Sequence, residues 1–448
     1  MVHQLFERVE KLEKENRELK ARLDLDSNNS SKPPSSDFKK KKKDKKHSSG
    51  KSSGGQKGHP GHFRKLLDIN EVDNVVECKA FHKCDCGCEI IESDKYIRHQ
   101  VYELPEIKLA VTEYQVAVGK CRGCSRKHTA ALPEGVSWGI TGARLTSFMS
   151  MSISKYQLSR RALQEFLQEY FNFRISLGTV FNKQKLVNQI LEEPVNALLP
   201  YIKQSKATNI DETSHRQSGE SHWLWTVASK TAAYFEVTKS RGKKVLRKLM
   251  HDFENNVISD RYAIYNYFDS SRRQICWAHL KRDFTRISQH HDKVISRIGK
   301  RLLDCESKLF QQWYPFKNNE ISRENLLLQT APIVKTVGEC LEQGSYTAPE
   351  LRAARFCKNL LENFSALWTF LHEEEIEPTN NHAERCLRAL VIWRKKYFAT
   401  QSNYGSEYIA RTASLIATSK LQKTNPFQYL SNAVNNYFAR KNILPIAQ

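Results

Sequence analysis

Apolar residues in the first 25 positions recur at alternating spacings of three and four: Val2, Leu5, Val9, Leu12, Leu19 and Leu23, with Asn16 in the same series. In heptad terms Val2, Val9, Asn16 and Leu23 take the a positions, and Leu5, Leu12 and Leu19 take d. Branched residues at a with leucine at d favour two strands, and a single asparagine at a fixes their register. The pattern predicts a coiled-coil dimerisation helix over 1–25. About three heptads are marginal alone, so the rest of the protein is expected to help hold the strands together.

Periodicity then stops. Residues 26–66 alternate Ser, Gly, Pro and Lys, and 39–46 hold seven lysines interrupted by Asp44. Such a segment cannot bury enough surface to fold alone, so it reads as a disordered basic linker able to follow DNA phosphates. Extended, strand-like runs follow (YEL, KLAVTEYQVAVGK) within a module spanning 67–135. Over 140–200 the period becomes helical: Ser159 caps a helix that places Leu163, Phe166, Leu167 and Tyr170 on one side, Asn172 breaks it, and Ser176 opens a second. A tight helix pair suits a helix-turn-helix DNA reader, with Lys183 and Lys185 of the second helix as DNA contacts.

From 201 the texture is that of strands. KATNIDET, SHWLWTVAS and TAAYFEVT form a meander in which Trp223, Trp225 and Val227 alternate with polar positions. A helix (RGKKVLRKLMHDF), a strand ending in Asp260 and a strand running into a basic helix (RRQICWAHLKRDF) complete a mixed sheet covered by helices over 201–284. A helical insertion over 285–375 and a closing segment over 376–448 with C-terminal helices follow. The fold class expected is multidomain α+β.

Charge sharpens this outline. The 71 Lys and Arg outnumber 49 Asp and Glu, for a net charge of +22. That balance points to a polyanion, and nucleic acid fits best because Lys and Arg replace its condensed counterions. With no long apolar run and a charged N-terminus, the expectation is a cytoplasmic protein without a membrane partner. Six of the eleven cysteines fall between Cys78 and Cys124. Cys121 and Cys124 form a C-x-x-C knuckle, and Cys84, Cys86 and Cys88 supply an irregular first one. Four of these five thiolates are expected to hold a structural Zn2+, with Cys78, His82 and His128 as spare ligands.

Three carboxylates carry the candidate chemistry: Asp211, Asp260 and, beyond the insertion, Glu384. An Asp after an apolar strand is commonly a turn former. A trio of hard oxygen donors suits Mg2+ or Mn2+ instead, and a pair of such ions serves in-line phosphoryl displacement. Glu384 has a competing explanation: with Asn381 as N-cap it would stand at N3 of its helix and close a capping box.

At this point the chain resembles the insertion sequence 66 family of transposases, a bacterial group with a DDE active site. The resemblance runs through NSSKPPSSD (29–37), GGQKGHPGH (54–62), CRGC, ISLGTV (175–180), DET (211–213), SDRYAIY (259–265), CWAH (276–279), NNHAERCLR (380–388) and SLIATSKLQKTNPFQYL (414–430). It implies a ribonuclease-H-like catalytic domain interrupted by helices, with Asp211, Asp260 and Glu384 holding two Mg2+ or Mn2+ ions. It implies cleavage at the element ends and strand transfer into target DNA, by a homodimer or higher synaptic oligomer at the bacterial nucleoid, with companion proteins of the same element as further partners. His279, Lys281, Arg282, Arg385, Arg388 and Lys395 are expected DNA contacts. One departure stands out: Arg261 follows the second Asp, where the family commonly has glycine. The rival reading is a non-catalytic, zinc-containing DNA-binding protein derived from an inactive copy.

Overall fold

The computed structural model describes residues 2–23, 25, 26, 29, 64–78, 83–91, 96–347 and 352–447. His82 and residues 30–63, which carry the lysine run and most of the expected linker, lie outside these. The chain divides into two units, one of Phe38–Leu109 and one of Met1–Asp37 with Ala110–Gln448.

In the first unit a 3-10 turn over Ile69–Glu71 is closed by a capping box between Asp68 and Glu71. Further on, Lys83 bridges Glu89, and the amide of Gly87 donates to the Cys84 carbonyl at 2.8 Å. Gly87 has φ +87°, a left-handed conformation that glycine adopts without a Cβ penalty. CDCGC is therefore a closed turn.

The second unit begins with helix α1, Val2–Leu23. Its predicted seam is uncovered: Leu5, Val9 and Leu12 are each at least half exposed. Strands β1 (Val118–Lys120) and β2 (Lys127–Thr129) pair antiparallel, with Gly119 opposite His128. Cys121 and Cys124 sit in their connecting turn, where the Ser125 amide donates to the Cys121 carbonyl at 2.9 Å. Of the expected strand runs, VGK forms β1, whereas residues 102–104 and 108–117 join no ladder among the described residues. Alternation makes a segment competent to pair; it does not supply a partner.

Helices α2 (Ala143–Ser154), α3 (Arg160–Phe171) and α4 (Leu177–Ile190) follow, then the short α5 (Glu192–Asn196) and α6 (Leu198–Lys203). Ser159 and Ser176 cap α3 and α4 as expected, each accepting an amide hydrogen bond at 3.0 Å. Asn172 ends α3 at φ 48°. These helices are not a free-standing module. Leu163, Val180 and Val187 share one apolar core with Ile210, Leu224 and Val227 of the sheet and with Leu415, Leu430 and Val434 near the C-terminus.

The sheet itself comprises β3 (Ala207–Gln217), β4 (Glu220–Ala228), β5 (Ala233–Thr238), β6 (Asn256–Ser259) and β7 (Arg273–Ile275), in the order β5-β4-β3-β6-β7. The first three form the expected antiparallel meander, and β6 and β7 are added in parallel. Helix α7 (Lys243–Leu249) connects β5 to β6, and α8 (Trp277–Ser288) follows β7. The insertion is wholly helical: α9 (Lys293–Lys317), α10 (Arg323–Tyr346) and α11 (Arg352–Glu362). It has a second core, in which Trp277, Phe284, Leu302, Leu309 and Phe356 pack together. After α12 (Thr369–His372) come α13 (Asn381–Tyr397), α14 (Asn403–Leu421) and α15 (Pro426–Phe438). Edge strand β5 is covered by α14, whose Thr418 and Ser414 hydroxyls accept from the amides of Ala233 and Phe235. Among the described residues no helix is long and apolar enough to cross a membrane.

Candidate active site

Register brings the first two carboxylates together. Parallel pairing sets Asn209 of β3 opposite Ile258 of β6. Two residues further along, Asp211 and Asp260 are therefore neighbours, and the period of two points them to the same face. Asp211 is mid-strand, not at a strand end as KATNIDET suggested, because the hairpin with β4 continues pairing to Gln217. Asp260 is the first residue past β6, and the Tyr262 amide donates to its Oδ1 at 2.8 Å. The loop is pinned from below by Arg273, which is buried and donates to the Asp260 carbonyl at 2.8 Å, Asn266 Oδ1 at 2.7 Å and Ser259 Oγ at 3.0 Å.

Glu384 arrives on α13. The N-cap is Asn380, not Asn381, and it makes no side-chain capping bond. Glu384 thus occupies the fourth helical position, and the expected capping box is not formed. Asn380 is fully buried and used otherwise. Its Nδ2 donates to the Ile210 carbonyl at 2.8 Å, its Oδ1 accepts from Asn209 Nδ2 at 2.8 Å, and its amide donates to Cys276 Sγ at 3.1 Å. One side chain and its amide therefore tie α13 to the strand that carries Asp211 and to the start of α8.

Helix α8 contributes His279, whose Nε2 stands 3.6 Å from Glu384 Oε1. Burial disfavours its imidazolium, but the Cys276 thiol and the charges of Asp260 and Glu384 outweigh that and push its pKa up to about 9. Asp211 is displaced in the opposite chemical sense. Burial, then the charges of Asp260, Glu212 and Glu384, drive its carboxyl well above the usual range, against the pull of His279. Glu212 is pushed up to about 7, by burial and by Asp260, despite a hydrogen bond from Tyr265 and Arg241 at 4.0 Å. Four carboxylates thus crowd together with one imidazolium. Among the described residues no three His, Cys, Asp or Glu side chains stand at metal-ligating spacing. The donor set nonetheless fits a hard divalent cation: carboxylate oxygens, mutually repelling, with no ion pair to Asp211 among the described residues.

Comparison with known proteins identifies the family. Residues 139–408 match the Transposase IS66 family, a stretch that includes the whole five-stranded sheet, the insertion and α13. The chain belongs to the IS66 transposase family. Residues 1–65 of this IS66 chain match a family of unknown function, DUF6444. Among curated relatives it is 24% identical over 419 residues to the uncharacterized protein y4qI of Sinorhizobium fredii, covering 85% of this chain and 74% of that one. A second uncharacterized protein of that organism, y4jD, is 21% identical over 225 residues, covering 47% of this chain and 43% of the relative.

The remaining site residues of the IS66 chain are distributed unevenly. His279, read from sequence as a DNA contact, faces Glu384 instead of solvent. Lys281 is engaged by both oxygens of buried Glu306 at 3.0 and 2.8 Å. Arg282 is half-buried on α8, and Arg385, Arg388 and Lys395 are exposed on α13. Lys183 is half-buried on α4, where burial lowers its pKa, and Lys185 is exposed. Arg261, in place of the family's glycine, turns away from the carboxylates: it lies 3.3 Å from Asp283 and 4.7 Å from the Phe356 ring centroid. Cys84, Cys86 and Cys88 fall in the first unit, and Cys121 and Cys124 in the second. Hydrogen bonds from Cys88 and Cys84 lower the Cys86 thiol, and those from Cys124 and Gly123 lower Cys121. A lowered thiol pKa favours the thiolate, the form in which cysteine binds zinc.

Asn380, Arg273 and Glu212 were missed as contributors to the site. None stands out locally: Asn380 lies in the polar run TNNH, Arg273 in SRRQ, and Glu212 directly beside Asp211. A buried polar group must find a partner, and here those partners are the site's own supports.

Proposed function

We propose that this chain is a DNA transposase whose cleavage centre is formed by Asp211, Asp260 and Glu384. The observation that carries the proposal is the convergence of three separated segments on one carboxylate cluster, two by strand register and the third by the Asn380 tie. Mg2+ or Mn2+, as a pair, would be held by these three carboxylates and, when bound, would supply Lewis acidity and offset charge on the reacting phosphate.

The chain's own residues do the rest. Asp211 is fixed mid-strand, and Asp260 is fixed by the Tyr262 amide and Arg273, so their oxygens need little reorganisation. His279, whose pKa is pushed up to about 9, offsets part of the carboxylate repulsion and has an N–H to offer a phosphate oxygen. In the first reaction water attacks phosphorus, a P–O bond forms, and the bond to the 3′ oxygen breaks with that oxygen taking a proton. In the second, the freed 3′-hydroxyl attacks a target phosphodiester in the same site. Each step exchanges one P–O bond for another, and positioning with charge stabilisation supplies most of the acceleration. Arg282, Arg385, Arg388, Lys395, Lys183 and Lys185 are proposed phosphate contacts. The CDCGC and CRGC knuckles are proposed to hold one structural zinc, and α1 to join two chains through Leu5, Val9 and Leu12.

A supercoiled plasmid carrying the element ends tests the central claim. With Mn2+ the protein is expected to nick it, and Asp211→Asn is expected not to. Equal nicking by both would reject the reading; a wild-type protein that binds the ends but never nicks them would be the non-catalytic binder instead. Native mass spectrometry checks the accessory claims together. It is expected to show two chains and two zinc ions per assembly, with the zinc absent from a Cys121→Ser, Cys124→Ser variant.

A further inference from the structure

Residues 239–248, KSRGKKVLRK, hold six cations and no acid. All six (Lys239, Arg241, Lys243, Lys244, Arg247 and Lys248) are exposed. A run of charge by itself is commonly just a solvated face. Three observations separate this one from that case.

Arg241 is held in place. Its guanidinium lies 4.3 Å from the centroid of the Trp223 ring and 4.5 Å from that of Tyr262, yet its side chain remains 44% exposed. A planar fork stacked between aromatic faces is preorganised for phosphate, losing little rotamer freedom on binding. Arg247 is stacked similarly, 5.8 Å from the Tyr267 ring.

The aromatic supports also belong to the carboxylate site. Tyr262 and Tyr267 lie in the segment directly after Asp260, and the Tyr262 amide is the donor to Asp260 Oδ1. Arg241 itself comes within 4.0 Å of Glu212. The ridge is thus attached to the cluster through two independent contacts.

Its lysines are also available. Lys248 pairs with Glu236 at 2.6 Å, while Lys239, Lys243 and Lys244 have no ion-pair partner among the described residues. By contrast Lys281 of α8 is already neutralised by Glu306.

We infer that the 239–248 ridge is the surface on which the sugar–phosphate backbone of duplex DNA enters the carboxylate cluster, with Arg241 on the phosphate closest to it. The inference rests on the transposase reading and adds the path of the substrate. Contacts of this kind position DNA without reading its sequence.

The test is run in Asp211→Asn protein, which is expected to bind DNA without cutting it. Lys239, Lys243 and Lys244 are replaced together by Gln, and binding to a duplex carrying the element end is measured from low to moderate salt. Each phosphate contact contributes about 0.9 to the slope of log K against log salt, so the triple variant is expected to lose about 2 to 3 units of slope. Preference for the element end over unrelated duplex should stay the same. A control with Lys300, Lys335 and Lys358 replaced by Gln, exposed on the insertion and with the same loss of charge, is expected to keep the parent slope. If the ridge variant and the control have equal slopes, the ridge is not the path. If the Asp211→Asn parent binds no DNA, the transposase reading falls and the ridge with it, so the two failures are distinguishable.

Discussion

Glutamine at position 384 is expected to abolish DNA cleavage, by on the order of a thousandfold or more, while the protein stays folded. The expectation depends on where Glu384 stands. In a capping box its oxygen would accept the N-cap amide, and glutamine could do the same with little loss. Glu384 lies instead at the fourth position of α13, and its carboxylate faces His279 at 3.6 Å. Its charge is also among those that push the Asp211 carboxyl up, so removing it relieves repulsion in the apo protein. The melting temperature of Glu384→Gln should be unchanged or raised. A dead enzyme with an undiminished melting temperature is the pattern of a residue kept for activity at the expense of stability. Plasmid nicking and a circular dichroism melt decide it, and a variant that nicks at the parental rate removes Glu384 from the proposed chemistry.

Asn380→Ala is expected to harm both stability and activity. The side chain makes two buried hydrogen bonds, one to a backbone carbonyl and one to a second asparagine. Truncation leaves the Ile210 carbonyl and the Asn209 amide without those partners, at about 1–3 kcal/mol each. Denaturant unfolding should report a loss of roughly 2–6 kcal/mol by that reckoning. Cleavage should weaken as well, and need more Mn2+ for half-maximal rate, because the start of α13, next to Glu384, loses its tie to β3. Asp at 380 keeps the acceptor for Asn209 but lacks the donor to Ile210 and buries a charge, so it should not rescue. A parental Mn2+ dependence in Asn380→Ala would show that the apolar face of α13 and its Arg394 and His382 bonds hold it without the Asn380 tie.

The sequence disclosed those features that depend on neighbours along the chain. Period-two alternation marked the meander, Ser159 and Ser176 marked two helix starts, and an apolar run before Asp260 marked the strand that presents it. What stayed hidden depends on partners far away. Asn209 and Asn380 are 171 residues apart, and nothing local to either announces the bond. Alternation in KLAVTEYQVAVGK suggested strands, yet only its last three residues, VGK, meet a partner, in β2. Lys281 and His279 sit on one basic helix and looked alike as DNA contacts. Packing separated them, turning one to Glu306 and the other to Glu384. The trio Asp211, Asp260 and Glu384 could be named because the motifs resembled a family; the register between β3 and β6 gives Asp211 and Asp260 a physical basis for standing together.

The Asn380 tie has a further consequence, during synthesis. Strands β3 and β6 and the start of α8 can assemble while the insertion is still being made, but the Ile210 carbonyl, Asn209 and the Cys276 thiol wait for a residue that emerges late. A ribosome that stalls in α9 or α10 would release a chain already bearing Asp211, Asp260 and the basic ridge, yet lacking the third carboxylate. Such a fragment would also lack α14 and α15, whose Leu415, Leu430 and Val434 complete the core of the sheet and the first helices. The order of segments along the message thus withholds the third carboxylate until the chain can also close its core.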